Sequence, residues 1–181
     1  MMRKLWCLVI ITLFATKGQA QMGFTKYPSE YQMKAKFLYN FARFVEWPDG
    51  VFADSNSSIT IGVIDPDPFG IDLDKTVEGK RINGRGFRIR RFHRVNELEF
   101  CHILFIGTPD KEYRLQILKR LEDWSVLTVG DKQDFAYDGG IINFIMVGKK
   151  IFFEINMKAL KKSGLVLSPR ILKMSNLIEG D

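Results

Sequence analysis

SITIGVIDPDPFG, residues Ser58 to Gly70, is the stretch that decides the fold. Ser58 to Ile64 is a short, β-branched, nearly unbroken apolar run bounded by turn residues, the pattern of a strand buried on both faces. It breaks into Asp65-Pro66-Asp67-Pro68-Phe69-Gly70, a tight loop at the strand's carboxyl end, followed by a weak helical stretch through Leu73 and Val77. CHILFIG, Cys101 to Gly107, has the same form: an apolar strand, the loop Gly107-Thr108-Pro109-Asp110, then a helix over Lys111 to Leu121 with Leu115, Leu118 and Leu121 on one face. Ser125 to Val129 is a third apolar strand. Strands that alternate with helices in this way predict an α/β domain with a parallel sheet.

Outward from this centre the pattern changes. Gly86 to Phe92, GFRIRRF, alternates apolar and basic residues as an edge strand does. Ile141 to Val147 and Lys150 to Ile155 are apolar runs joined through Gly148-Lys149, where glycine at the first central position suits a type II′ hairpin. The fold class is therefore a single α/β domain: a mixed, mostly parallel sheet flanked by helices on both faces, with a C-terminal antiparallel hairpin. Asn156 to Lys162 reads as a helix stopped by Gly164, and Ser168-Pro169 caps a last helix carrying Ile171, Leu172 and Leu177. On the amino-terminal side, YQMKAKFLYNFARFVEWP (Tyr31 to Pro48) winds Tyr31, Ala35, Leu38, Ala42 and Val45 into an apolar stripe that Phe37, Phe41 and Phe44 widen. Ser29-Glu30 supplies its cap, and Pro48 stops it by forcing Trp47 out of helical geometry. Lys36, Asn40, Arg43 and Trp47 form a polar strip ending in an aromatic, a candidate contact surface on a helix that is chiefly core.

Residues 1–20 read as a secretory signal peptide: Arg3 and Lys4, an uncharged apolar core over Leu5 to Ala15, and small residues in Gly18-Gln19-Ala20 before a cut. The domain is then residues 21–181. Without Arg3, Lys4 and Lys17 the net charge falls from +6 to +3, and the remaining excess is concentrated. Lys80, Arg81, Arg85, Arg88, Arg90, Arg91 and Arg94 occupy a stretch that holds no acid. In an exported protein this argues against nucleic acid and for an acidic protein surface, a lipid headgroup or a small anionic ligand. It also fits an edge strand guarded by its charge. Cys7 leaves with the signal, so Cys101 is alone, reads as a buried inert thiol, and no internal disulfide is available.

Catalytic groupings are scarce. The two histidines, His93 and His102, come with neither HExxH nor CxxC spacing, so no metal and no cofactor is expected. No GxSxG elbow, Walker loop or GxGxxG occurs, and the chain reads as a binding protein rather than an enzyme. Asp138-Gly139-Gly140 is a turn that feeds the strand at Ile141. Open α/β sheets take small ligands outside the carboxyl ends of their parallel strands. That rule makes Asp65, Asp67, Phe69, Gly107, Thr108 and Asp131 candidate ligand-binding residues, with Arg170 as a charge for an anionic ligand. Asn40, Arg43 and Trp47, with the basic residues Arg88, Arg90 and Arg91, are the candidate partner-binding residues.

Taken together, KAKFLYNFARFVEWP (Lys34 to Pro48), SITIGVIDPDPFG, CHILFIG, LTVGD (Leu127 to Asp131), GGIINFI (Gly139 to Ile145) and FFEIN (Phe152 to Asn156) resemble the YfiR-like family of periplasmic proteins. GLVLSPRILKMS (Gly164 to Ser175) is similar in form to that family's closing helix. The resemblance implies a periplasmic regulator that binds the periplasmic region of an inner-membrane sensor, a diguanylate cyclase or a histidine kinase. Through it, cyclic di-GMP synthesis and biofilm formation would be lowered. Homodimers are part of what the resemblance implies; redox control through an internal disulfide does not carry over, because the exported chain lacks a cysteine pair. A small-ligand-binding module feeding a membrane sensor or transport system is the alternative.

Overall fold

A computed structural model describes residues 29–180; the signal-peptide reading of residues 1–20 lies outside them. The Ser58 to Ile64 run becomes β2 (Ile59–Ile64), and β3 (Phe87–Phe92), β4 (Ile103–Ile106), β5 (Leu127–Gly130), β6 (Ile142–Val147), β7 (Lys150–Asn156) and β9 (Asn176–Ile178) join it in one sheet of order β3-β2-β4-β5-β6-β7-β9. Pairing is parallel from β3 to β6 and antiparallel between β6 and β7, and β9 lies parallel to β7. The mixed, mostly parallel α/β sheet is the expected one. At its hairpin, Val147 pairs with Lys150, and Gly148 takes the first central position with φ +61°, which a side chain would strain.

Burial on both faces follows from side-chain alternation. Ile61, Val63, Ile103 and Phe105 point into one apolar cluster, and Ile64, Leu104 and Ile106 point into another. Helices α1 (Glu30–Phe41) and α2 (Ile71–Val77) cover the first, with Leu160 of α4 (Met157–Lys162) and Ile171 of α5 (Pro169–Leu172) at its margin. Helix α3 (Lys111–Arg120) covers the second through Ile117, with Leu121 just beyond it. On that face Gly62 leaves room for its neighbours: a Cβ there would stand 2.9 Å from the Cys101 Sγ and from Leu104 Cδ1. Burial pushes the Cys101 thiol up to about 12, so it stays protonated and inert, as its sequence setting implies.

Three elements differ from the sequence reading. The amino-terminal helix, capped by Ser29 and Gln32, ends at Phe41 instead of running to Trp47. Arg43 N and Phe44 N donate to Asn40 O and Phe41 O, a tightened final turn, and Val45 and Glu46 then form β1 (Val45–Glu46), antiparallel to β8 (Val166–Leu167). Val45 is β-branched and Pro48 disfavours helix before it, so a pairing strand wins. Leu177 belongs to β9, not to the last helix, which stops at Leu172; β7 offers an unpaired edge that these residues fill. On α3, Leu115 is exposed, and Arg114 takes the inward position beside Ile117.

The aromatic density of α1 is explained by a ring cluster under it. Phe41 stacks on Phe144 at 5.7 Å and meets Phe153 edge-on at 5.5 Å, while Phe37 meets Phe153 at 4.9 Å. Phe41 is 1 % exposed, and its truncation would leave a void that rigid neighbours cannot fill. Phe41→Ala is expected to cost about 3–5 kcal/mol, measured as a shift in the urea midpoint with an unchanged slope.

Candidate functional site

The sequence-derived residues fall into three places. The first is the carboxyl end of the parallel strands, where Asp65, Asp67, Phe69, Gly107, Thr108 and Asp131 gather. Phe69 is buried, edge-on to Phe105 at 4.7 Å and to Tyr31 at 5.6 Å, so its ring fills space between the loops. Gly107 lets the loops close together, since a Cβ there would stand 3.2 Å from Pro66 O. Asp67 accepts from Phe69 N (2.8 Å) and Gly70 N, which shapes its own loop, and takes Arg91 Nε at 2.7 Å. Arg91 Nη2 also donates to Asp74 at 2.5 Å and to Gly70 O at 2.8 Å. The hydrogen bond from Arg91 holds the Asp74 carboxyl below its ordinary range. His93 lies 2.8 Å from Asp65, whose hydrogen bond raises the imidazole above its ordinary value. Thr108 O accepts from Arg114 Nη1, and Arg114 with Lys111 grips Asp138 at 2.6 and 2.8 Å.

Beneath these loops lies a contact that the sequence reading missed. Asp131 Oδ2 accepts from Lys34 Nζ at 2.7 Å and from the Tyr31 hydroxyl at 3.1 Å, and both members of the ion pair are 2 % exposed. Burial, and next the Asp131 charge, push the Tyr31 phenol up to about 12. Glu30 pairs with Lys34 from the rim. Lys34 stands beside Ala35 on the buried side of α1, and that position is the signal that could have marked it. Asp131→Asn leaves the Lys34 ammonium short of its main counter-charge and is expected to cost about 3 kcal/mol. In the same denaturation experiment, Lys34→Met combined with Asp131→Asn is expected to be more stable than Asp131→Asn alone.

The second place is the far end of α1, about 18 Å along the helix from its start. Here Asn40, Arg43 and Arg170 line one groove of about 330 Å³ with Phe37, Phe44 and Met174. Arg170 therefore stands apart from the carboxyl-end residues with which the sequence reading grouped it. Its guanidinium lies 5.8 Å from the Phe44 ring centre, and Met174 is 63 % exposed. Among the described residues neither Arg43 nor Arg170 holds a carboxylate, in contrast to Lys34, Arg91 and Arg114. Arg88, on β3, is likewise without one, whereas Arg90 pairs with Glu99.

Trp47 lies in the third place, beyond the opening end of β4, because the chain has left the helix before reaching it. Its indole N–H donates to His102 O at 3.3 Å, and it meets Phe52 and the His102 ring edge-on. His102 stacks on Phe52 at 4.3 Å, and its Nδ1 accepts from Thr60 N at 3.0 Å, so Nε2 carries the proton of the neutral ring. Burial, with Arg85 as the lesser cause, lowers this imidazole to about 4. The unfolded chain, with a histidine near ~6.5, binds a proton that the folded chain refuses, so stability is full above that value and is lost on acidification down to about 4. Between pH 7.5 and 5 the native protein is expected to lose on the order of 2 kcal/mol more than His102→Asn, measured by urea unfolding at both values. His93, present in both proteins, cancels from the difference.

No group of three or more His, Cys, Asp or Glu among the described residues is placed to hold a metal ion, and no described helix is long and apolar enough to cross a membrane. A family model described as YfiR/HmsC-like matches residues 31–176. A crystal structure of a conserved domain protein from Vibrio cholerae is similar in fold, with a TM-score of 0.54 at 10 % identity over 82 % of this chain. This chain spans 60 % of that protein's length. The ABC domain in complex with L-Trp from Streptococcus pneumonia gives a TM-score of 0.45 at 12 % identity, covering 66 % of this chain and 55 % of that one.

Proposed function

We propose that this chain, which belongs to the YfiR/HmsC-like family, binds the periplasmic region of an inner-membrane signalling protein and lowers its output. Family membership supports a periplasmic regulatory role in cyclic di-GMP signalling. The partner in this proposal is a diguanylate cyclase, or a histidine kinase, recognised by a single domain over residues 21–181 once residues 1–20 are removed. The match over residues 31–176 is the observation that carries it. Binding, not catalysis, also suits the site chemistry: Lys34, Arg91 and Arg114 are each held by carboxylates within the fold, while Arg43 and Arg170 hold none among the described residues.

The contact face we assign is the groove of Asn40, Arg43 and Arg170. An apolar floor with two uncommitted guanidiniums suits an acidic and aromatic segment of the partner, since arginine beside rings is the usual composition of a strongly contributing contact. Deleting the gene is expected to raise cellular cyclic di-GMP, and the native chain to restore it and to capture one inner-membrane protein from a detergent extract. Arg43→Glu with Arg170→Glu is expected to weaken that capture roughly tenfold, about 1.4 kcal/mol, with thermal stability kept. Unchanged cyclic di-GMP on deletion, with no membrane protein captured, would sink the reading.

The groove volume supports one other reading, a small anionic ligand held by the same two arginines, because about 330 Å³ is within the range of small-molecule sites. A saturable rise in melting temperature with a small carboxylate or mononucleotide, without a membrane partner, would favour it.

A further inference from the structure

We infer that the free edge of β3 is a second docking site, which takes an acid-rich extended segment of the protein partner as an added strand. This rests on the regulatory reading and adds the mode and chemistry of one contact. Strand β3 ends the seven-stranded sheet and pairs on one side only. Ile59 N donates to Gly86 O and Asp65 N to Phe92 O, both at 2.9 Å, so the even-numbered residues of β3 turn their peptide groups toward β2. Those of Phe87, Ile89 and Arg91 consequently face outward, away from β2, the one strand that pairs with β3 among the described residues. A row of open donors and acceptors at alternate residues is the template for strand addition.

Charge decides the occupant. A second copy pairing β3 with β3 about a two-fold axis would bring Arg88 and Arg90 against their own equivalents, within a stretch from Lys80 to Arg94 that has no acid. Like charges opposed across strands are unfavourable. The same charges attract carboxylates, and Arg88 holds none among the described residues. On the other face of the strand, a groove of about 580 Å³ runs between α2 and β3, with Ile71, Val77, Phe87 and Ile89 as its apolar part, and with Lys75, Lys80 and Arg81 outnumbering the acids Asp74 and Glu78 in its lining. Ile71 is 63 % exposed there, and Asp74 in the wall is already held by Arg91. Side chains alternate across a strand, so an added one would drop every second residue into this groove and turn the others toward Arg88 and Arg90. The fitting segment alternates apolar and acidic residues.

The test is fluorescence anisotropy of the full chain with a labelled peptide of about ten alternating Glu and Val residues, against a Lys and Val peptide of the same length. The acidic peptide is expected to bind saturably, and the basic one roughly tenfold more weakly or not at all. Ile89→Pro removes an outward N–H and leaves the β2 ladder intact, so binding is expected to be lost at a similar thermal midpoint. Arg88→Glu is expected to weaken binding roughly tenfold. A peptide methylated at alternate backbone nitrogens gives the same test without touching the fold, and it should not bind. Equal binding of both peptides, full binding of the methylated peptide, or a dimer that Ile89→Pro dissolves would each overturn the inference. Capture of a membrane protein that survives Ile89→Pro but not Arg43→Glu with Arg170→Glu overturns strand addition alone; peptide binding without any membrane partner overturns the regulatory reading alone.

Discussion

Lys34 and Asp131 stand 97 residues apart in the chain and meet at 2.7 Å almost without solvent, with the Tyr31 hydroxyl closing the pair. A buried ion pair adds little net stability, because losing two hydration shells offsets most of the attraction. What it does supply is position: a charge inside the fold tolerates few alternatives to its partner. The pair holds the first turn of α1 to the carboxyl end of β5, and the ring cluster of Phe37, Phe41, Phe144 and Phe153 holds the last turn over the hairpin. With both ends set, the helix delivers Asn40 and Arg43 beside Arg170.

The distribution of charge follows from this arrangement. Where the parallel strands end, cations and carboxylates meet each other: Lys34 with Asp131, Arg91 with Asp67 and Asp74, Arg114 and Lys111 with Asp138. Such pairs shape loops and leave little charge over for a ligand. Among the arginines of the described residues that hold no carboxylate, Arg43 and Arg170 share one rim and Arg88 stands on the sheet edge. Both sites lie beside half-exposed apolar side chains, so each combines attraction for an anion with surface that gains by being covered.

How much was legible in the sequence varies element by element. SITIGVI and CHILFIG announced buried parallel strands because strands covered on both faces lack polar alternation, and Gly148-Lys149 announced the hairpin because a two-residue turn needs a positive φ. GFRIRRF showed its edge position through alternating charge. Val45 continues the helical spacing of Tyr31, Ala35, Leu38 and Ala42, so the sequence alone predicts helix there, while the pairing that claims Val45 and Glu46, with Leu167 and Val166, lies far away in the chain. Leu177 follows the same logic: β9 is three residues long and exists through the edge that β7 presents. Of the candidate site, the residue types were readable and the grouping was not, since Arg170 and Trp47 each lie with different neighbours from those their spacing suggested.

Local periodicity, turn chemistry and composition were enough for the class of fold, the succession of the main strands along the chain, the basic edge and the buried Cys101 thiol. Which charges are spent inside the fold and which remain open is set by the three-dimensional packing. Ion pairing depends on separations of a few ångströms between residues far apart in the chain, and no local pattern carries that distance.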